Sequence, residues 1–174
     1  LLILIMARKG SRDSISRQNL RLVNDKPLIH YVLQTALNFH DADVFVSTDS
    51  EEIKEYSLMC GAQVIPRPRY LTKSSTSVKE ISFHALKILE KNGMTYDKCL
   101  VLHPKFPLIE QKTMKKFFSY LQNNIQTVFG VTQIVDSKLN YTLKKGSNHL
   151  LELKPSGNTS ALLNRIVSFK TKNF

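Results

Sequence analysis

The chain has 174 residues and a formal net charge of +11 at pH 7, which suits a single domain, residues 1–174, with a substantial core. Its 42% hydrophobic and 22% charged residues exclude the composition of a disordered chain. The basic charge favours polyanionic partners, namely nucleic acid, phosphates or acidic sugars, and does not choose among them.

We expect neither a membrane-spanning segment nor a framework of disulfide bonds. The apolar start, residues 1–5, is too short to span a bilayer, and the features of a signal peptide are missing. Cys60 and Cys99 stand too far apart for a metal pair or a disulfide framework, so we interpret them as buried thiols in a reducing cytoplasm.

Short apolar runs predict five strands in the first three quarters of the chain. The first run is wholly apolar, which is typical of a strand buried on both faces of a parallel sheet. The predicted strands cover residues 1–5, 43–47, 63–65, 99–102 and 127–131. Further on, residues 140–143 and 150–153, joined by 144–149, predict a hairpin.

Apolar residues recur at helical spacing in the segments between these strands. Pro27 opens the first helix, and Asp49 is predicted to cap a second helix that ends at Gly61. A third apolar stripe runs from Val78 to a stop near Asn92, and a fourth covers residues 114–121. Alternating strands and helices predict a three-layer α/β/α fold with a mostly parallel sheet.

Three polar loops follow strands and should therefore meet at one edge of this sheet. They cover residues 8–19, 67–77 and 103–107. In open parallel sheets, ligands bind beyond the carboxyl ends of the strands. We therefore expect a binding site that these three loops build together.

The first loop has the composition of a phosphate site. It begins Arg8-Lys9-Gly10-Ser11-Arg12, which places three cations around one glycine and one serine. Glycine lets backbone N–H groups approach a phosphate closely, and arginine offers paired donors. The loop is neither a P-loop nor a dinucleotide fingerprint, and a solvated basic turn is the alternative interpretation.

The other two loops offer hydroxyls, cations and one imidazole. Residues 74–77 are hydroxyl-bearing, and Thr76 or Ser77 also suits the N-cap of the next helix. His103 could contact a ligand, although a lone histidine is more often structural. No pair of carboxylates is spaced to bind a divalent cation, and for Asp49 we favour capping over a metal role.

Several of these segments, taken in order, resemble one known family. The chain is similar to the CMP-N-acetylneuraminic acid synthetases (acylneuraminate cytidylyltransferases) over roughly residues 1–135. The matching segments are Ala7-Arg8-Lys9-Gly10-Ser11-Arg12, Asn19-Leu20, Lys26-Pro27-Leu28-Ile29, Val46-Ser47-Thr48-Asp49, Gly61-Ala62-Gln63-Val64, Arg67-Pro68, Ser75-Thr76-Ser77 and Leu102-His103-Pro104.

The resemblance implies a fold and a reaction. The implied fold is the Rossmann-like nucleotidyltransferase of the nucleotide-diphospho-sugar transferase type. The implied enzyme transfers CMP from CTP to a nine-carbon acidic sugar of the sialic acid type and releases pyrophosphate. It would need Mg²⁺, act as a cytoplasmic homodimer and bind neither membrane nor nucleic acid.

The resemblance also implies roles for individual residues. Arg8, Gly10, Ser11 and Arg12 would hold the triphosphate, and the two arginines would be catalytic. Asn19 and Arg67 would hold the cytidine part, with Ser77 nearby. His103 takes the place of a family glutamine that contacts the nucleotide and the sugar.

Departures from the family pattern leave two other functions open. Lys9 replaces a small residue, the metal-ligating aspartates are not found, and residues 135–174 match weakly, as in a member shortened at its C-terminus. The chain could therefore be a catalytically inactive member that binds nucleotide or sugar. The charge alone would also allow a basic nucleic-acid-binding module, although no such motif is present.

Overall fold

The computed structural model describes residues 1–10, 17–121, 127–129, 143–145, 151–153 and 167–171. The helices are α1 (Leu28–Leu37), α2 (Glu51–Met59), α3 (Val78–Lys91) and α4 (Gln111–Tyr120). The strands are β1 (Leu2–Met6), β2 (Leu22–Val23), β3 (Lys26–Pro27), β4 (Asp43–Thr48), β5 (Gln63–Pro66), β6 (Lys98–Leu102), β7 (Thr127–Phe129), β8 (Leu143–Lys145), β9 (Leu151–Leu153) and β10 (Val167–Lys170).

A six-stranded sheet in the order β5-β4-β1-β6-β10-β7 forms the middle layer. The pairs β1–β4, β1–β6 and β4–β5 are parallel. β1 is buried along its whole length, as its apolar sequence predicts. Its side chains alternate between two cores, so Ile3 and Ile5 face one and Leu2 and Leu4 the other.

Helices cover both faces of the sheet. Apolar residues of α1, α2 and α4 belong to the core on the Ile3 face, and those of α3 belong to the core on the Leu4 face. This arrangement confirms the predicted three-layer fold. No helix in the described ranges is long and apolar enough to cross a membrane.

The C-terminal strand β10 enters the sheet between β6 and β7, which the sequence did not predict. β10 pairs antiparallel with β6 on one side and with β7 on the other. The predicted hairpin is present as β8 and β9, but its first strand is Leu143–Lys145. Lys144 and Lys145 are therefore in a strand and not in the connecting loop, since they stand in register with Glu152 and Leu151 of β9.

A small hairpin before α1 was also missed. β2 and β3 pair across Asn24 and Asp25, whose φ angles are 46° and 59°. Two consecutive left-handed residues make the tight turn that suits a two-residue hairpin loop, and asparagine and aspartate tolerate this conformation best after glycine.

The caps of α2 and α3 differ in how well they were predicted. The prediction that Asp49 caps α2 is wrong, because the N-cap is Ser50, whose side chain accepts a hydrogen bond from the Ile53 amide. At α3 the predicted cap is confirmed: Ser77 and Glu80 form a capping box. Asp49 is thereby left free for another partner.

Candidate active site

A cleft of about 440 Å³ opens where the three predicted loops meet. Arg8 follows β1, Arg67 follows β5 and His103 follows β6, so all three extend from the carboxyl ends of parallel strands. The residues that line the cleft are Met6, Arg8, Lys9, Gly10, Gln18, Asn19, Arg67, Leu71, Lys73, Ser74, Thr76, Val78, Ile81, His103, Pro104, Lys105 and Phe106.

The lining is strongly cationic. Arg8, Lys9, Arg67, Lys73 and Lys105 contribute five cationic side chains, and none of the described lining residues is an aspartate or glutamate. A concave surface lined by one sign of charge focuses the field and attracts ligands of the opposite sign. The cleft therefore suits an anionic ligand.

Arg67 is the most constrained of these cations. Its side chain is 7% exposed, and its Nε and Nη2 donate to the Ser47 hydroxyl (3.1 Å) and to the Ser47 carbonyl (2.7 Å). Burial lowers its pKa to about 10, Asp49 opposes this shift and Arg8 adds to it. The guanidinium therefore stays charged at neutral pH while it is held in one orientation.

Arg8 and Asn19 connect the first loop to itself and to the second loop. The Arg8 Nη1 donates to the Thr72 carbonyl (3.3 Å), and the Asn19 side-chain amide donates to the Arg8 carbonyl (2.8 Å). Gly10 has a φ of 125°, a conformation that favours glycine. The start of the first loop is thus shaped by its neighbours before any ligand binds. Ser11 and Arg12 lie outside the described residues.

His103 lies on the wall of the cleft as a neutral imidazole. Burial is the largest cause that lowers its pKa, to about 4; Arg67 and Lys105 add to the shift, and a hydrogen bond with the Met6 backbone opposes it. Its Nε2 is buried and has no hydrogen-bond partner within the described part of the chain. At neutral pH the positive charge of the cleft therefore comes from its arginines and lysines.

Ser77 is less suited to ligand binding than its neighbours. Its hydroxyl donates to the Glu80 carboxylate (2.7 Å) and accepts from the Glu80 amide (3.2 Å), while Thr76 and Val78 line the cleft. The nucleotide-binding role of Ser77 stays a prediction.

Ser47, which holds Arg67, was not predicted from the sequence. A serine inside a buried strand carries no sequence pattern of its own.

The described residues do not provide a metal site. No group of three or more histidine, cysteine or acidic side chains that could hold a metal ion is present in the described ranges. Mg²⁺ prefers carboxylate and phosphate oxygens, and the described lining offers no carboxylate. The described residues of the cleft therefore do not fit a magnesium ion held by the protein alone.

The fold and the cleft are those of a known protein family. The mostly parallel sheet with a cationic cleft at its carboxyl edge is that of a nucleotidyltransferase-type α/β protein. The family model for cytidylyltransferases matches residues 2–149, so the chain belongs to the cytidylyltransferase family.

Curated relatives have related names. A pseudaminic acid cytidylyltransferase of Campylobacter jejuni is 33% identical over 135 residues, which are 76% of this chain and 58% of that protein. An N-acylneuraminate cytidylyltransferase of Escherichia coli is 32% identical over 108 residues, 62% of this chain and 25% of that protein. The chain thus spans between a quarter and three fifths of the length of these two relatives.

Solved structures support the fold. A CMP:2-keto-3-deoxy-manno-octonic acid synthetase complexed with CTP has a TM-score of 0.60 at 16% identity, covering 97% of this chain and 73% of the other. A 4-diphosphocytidyl-2C-methyl-D-erythritol synthase of Anaerococcus prevotii has a TM-score of 0.61 at 15% identity, covering 99% and 70%.

Proposed function

We propose that the protein transfers CMP from CTP to an acidic nine-carbon sugar and releases pyrophosphate. The observation that carries the proposal is the convergence of Arg8, Arg67 and Lys105, from three separate loops, in one cleft whose described lining has no carboxylate. Both substrates are anions, and the relatives similar in sequence are named as pseudaminic acid and N-acylneuraminate cytidylyltransferases.

The chemistry asks mainly for positioning and charge neutralisation. The sugar hydroxyl loses its proton to solvent as its oxygen forms a bond to the α-phosphorus of CTP, and the bond from that phosphorus to the bridging oxygen of pyrophosphate breaks. Negative charge accumulates on the leaving pyrophosphate, where fixed cations are most effective. Arg8, for the triphosphate, and Arg67, for the cytidine part, are held by hydrogen bonds before the ligand arrives, so little reorganisation is needed.

Magnesium dependence remains part of the proposal without a ligand set. We propose it from the family resemblance, since the described lining supplies cations and no carboxylate that would hold the ion. We also propose that Ser11 and Arg12 hold the triphosphate, as the family resemblance implies.

Pyrophosphate release tests the proposed reaction. The protein is incubated with CTP, Mg²⁺ and either N-acetylneuraminic or pseudaminic acid, and a CTP titration without sugar runs beside it. We expect release above the blank without sugar for at least one of the two acids. CTP binding with no release from either sugar would instead indicate a member that binds nucleotide without turnover.

Homodimerisation and a cytoplasmic site of action are further proposals from the family resemblance. The two free thiols, Cys60 and the buried Cys99, suit a reducing compartment. Sedimentation velocity tests the assembly: a species of twice the 19.9 kDa chain mass is expected. A monomer at all concentrations up to the micromolar range would contradict the dimer.

A further inference from the structure

Asp49 connects the end of one strand to the start of the first loop. It directly follows β4 and precedes the Ser50 cap of α2. Its Oδ1 accepts a hydrogen bond from the backbone N–H of Lys9 at 2.8 Å, across 40 residues of sequence. Lys9 and Gly10 line the cleft, so this bond fixes the backbone at the rim of the candidate phosphate site.

A second contact joins the other end of the first loop to the start of α2. The Arg17 guanidinium donates to the Glu52 carboxylate at 2.7 Å, with side-chain exposures of 61% and 49%. An exposed pair of two long side chains contributes little, because its order costs entropy and water screens its charges. The Asp49 bond is also exposed, but it joins a shorter side chain to a backbone N–H and is charge-assisted, so we expect it to hold its end of the loop more firmly.

Asp49 also acts on the charge of the cleft. It stabilises the protonated form of Arg67 and so opposes the lowering of that pKa by burial. Its carboxylate is nevertheless an anion at the edge of a site for anions, which would weaken phosphate binding by charge alone. Because its charge opposes phosphate binding, we explain Asp49 by the position in which it holds the Lys9 backbone N–H.

We propose that Asp49 is a positioning residue that holds the Lys9–Gly10 backbone in place for the triphosphate of the bound nucleotide. The proposal rests on the function proposed above, because it assumes that a nucleoside triphosphate occupies the cleft. It concerns the phosphate end of the ligand alone, since the bond is made at the first loop.

Two neutral variants separate positioning from charge. Asp49→Asn keeps an oxygen that can accept from the Lys9 amide, whereas Asp49→Ala removes it, and both remove the negative charge. We expect Asp49→Ala to bind CTP about fivefold more weakly than Asp49→Asn, the change that loss of one hydrogen bond brings. Binding of cytidine, which has no phosphates, should be equal in the two variants.

The matched control is Glu52→Gln, which removes a carboxylate from the same helix start and breaks the exposed Arg17 pair. It should bind CTP as the wild type does. Equal CTP affinity of Asp49→Ala and Asp49→Asn would overturn the proposal, as would an equal loss for cytidine and CTP, which would indicate general damage. A wild-type protein that binds no CTP would instead contradict the proposed function itself.

Discussion

Arg8→Ala is expected to weaken CTP binding by roughly tenfold to a hundredfold, the range for loss of a hydrogen bond to a charged group. Arg8 lines the cleft, and its Nη1 is already held by the Thr72 carbonyl. The side chain therefore contributes both charge and a fixed direction. Isothermal titration of CTP into the variant and the wild type measures the loss.

The matched control is Arg69→Ala, in the second loop. Arg69 is exposed and is not among the residues that line the cleft. It carries the same charge, so it corrects for the general effect of one cation fewer. CTP affinity that is unchanged in Arg8→Ala, or lowered equally in both variants, would contradict the assignment of the cleft.

Acid should destabilise the fold through His103. Its pKa is about 4 in the folded protein, against a usual value of 6.5. Between these two pH values the unfolded chain binds a proton that the folded chain does not, so the free energy of unfolding falls as the pH drops through this window. The difference corresponds to roughly 3 kcal/mol, at 1.4 kcal/mol for each pKa unit.

His103→Gln isolates this contribution. Glutamine is close in size and does not titrate, so the variant should lose less stability than the wild type between pH 6.5 and pH 4. Urea unfolding at several pH values measures the two slopes. His84→Gln is the companion variant, because burial and Arg67 also lower the pKa of His84. Parallel slopes for wild type and His103→Gln would show that the imidazole titrates normally.

The layers of the fold were predictable because each strand around β1 has a local signature. The β1 sequence is apolar throughout, which only a strand covered on both faces requires. β10 has no such signature that we recognised, and its place between β6 and β7 depends on pairing with residues far away in the chain. Strand order of this kind is set by tertiary contacts, which sequence patterns do not record.

The convergence of the three loops was predictable for a different reason. The carboxyl ends of parallel strands meet at one edge, so Arg8, Arg67 and His103 could be placed together before any contact was known. Individual partners could not be predicted. Both Asp49 and Ser50 suit a cap, and only the geometry shows that Ser50 caps α2 while Asp49 binds the Lys9 amide.

The fate of each phosphate of CTP tests the central claim most directly. The protein is given Mg²⁺, an acidic nine-carbon sugar and CTP labelled at either the α- or the γ-phosphorus. We predict that the α-label moves into a sugar-linked product and that the γ-label leaves as pyrophosphate, both only when the sugar is present. A γ-label that appears as inorganic phosphate, or an α-label that never joins the sugar, would contradict CMP transfer.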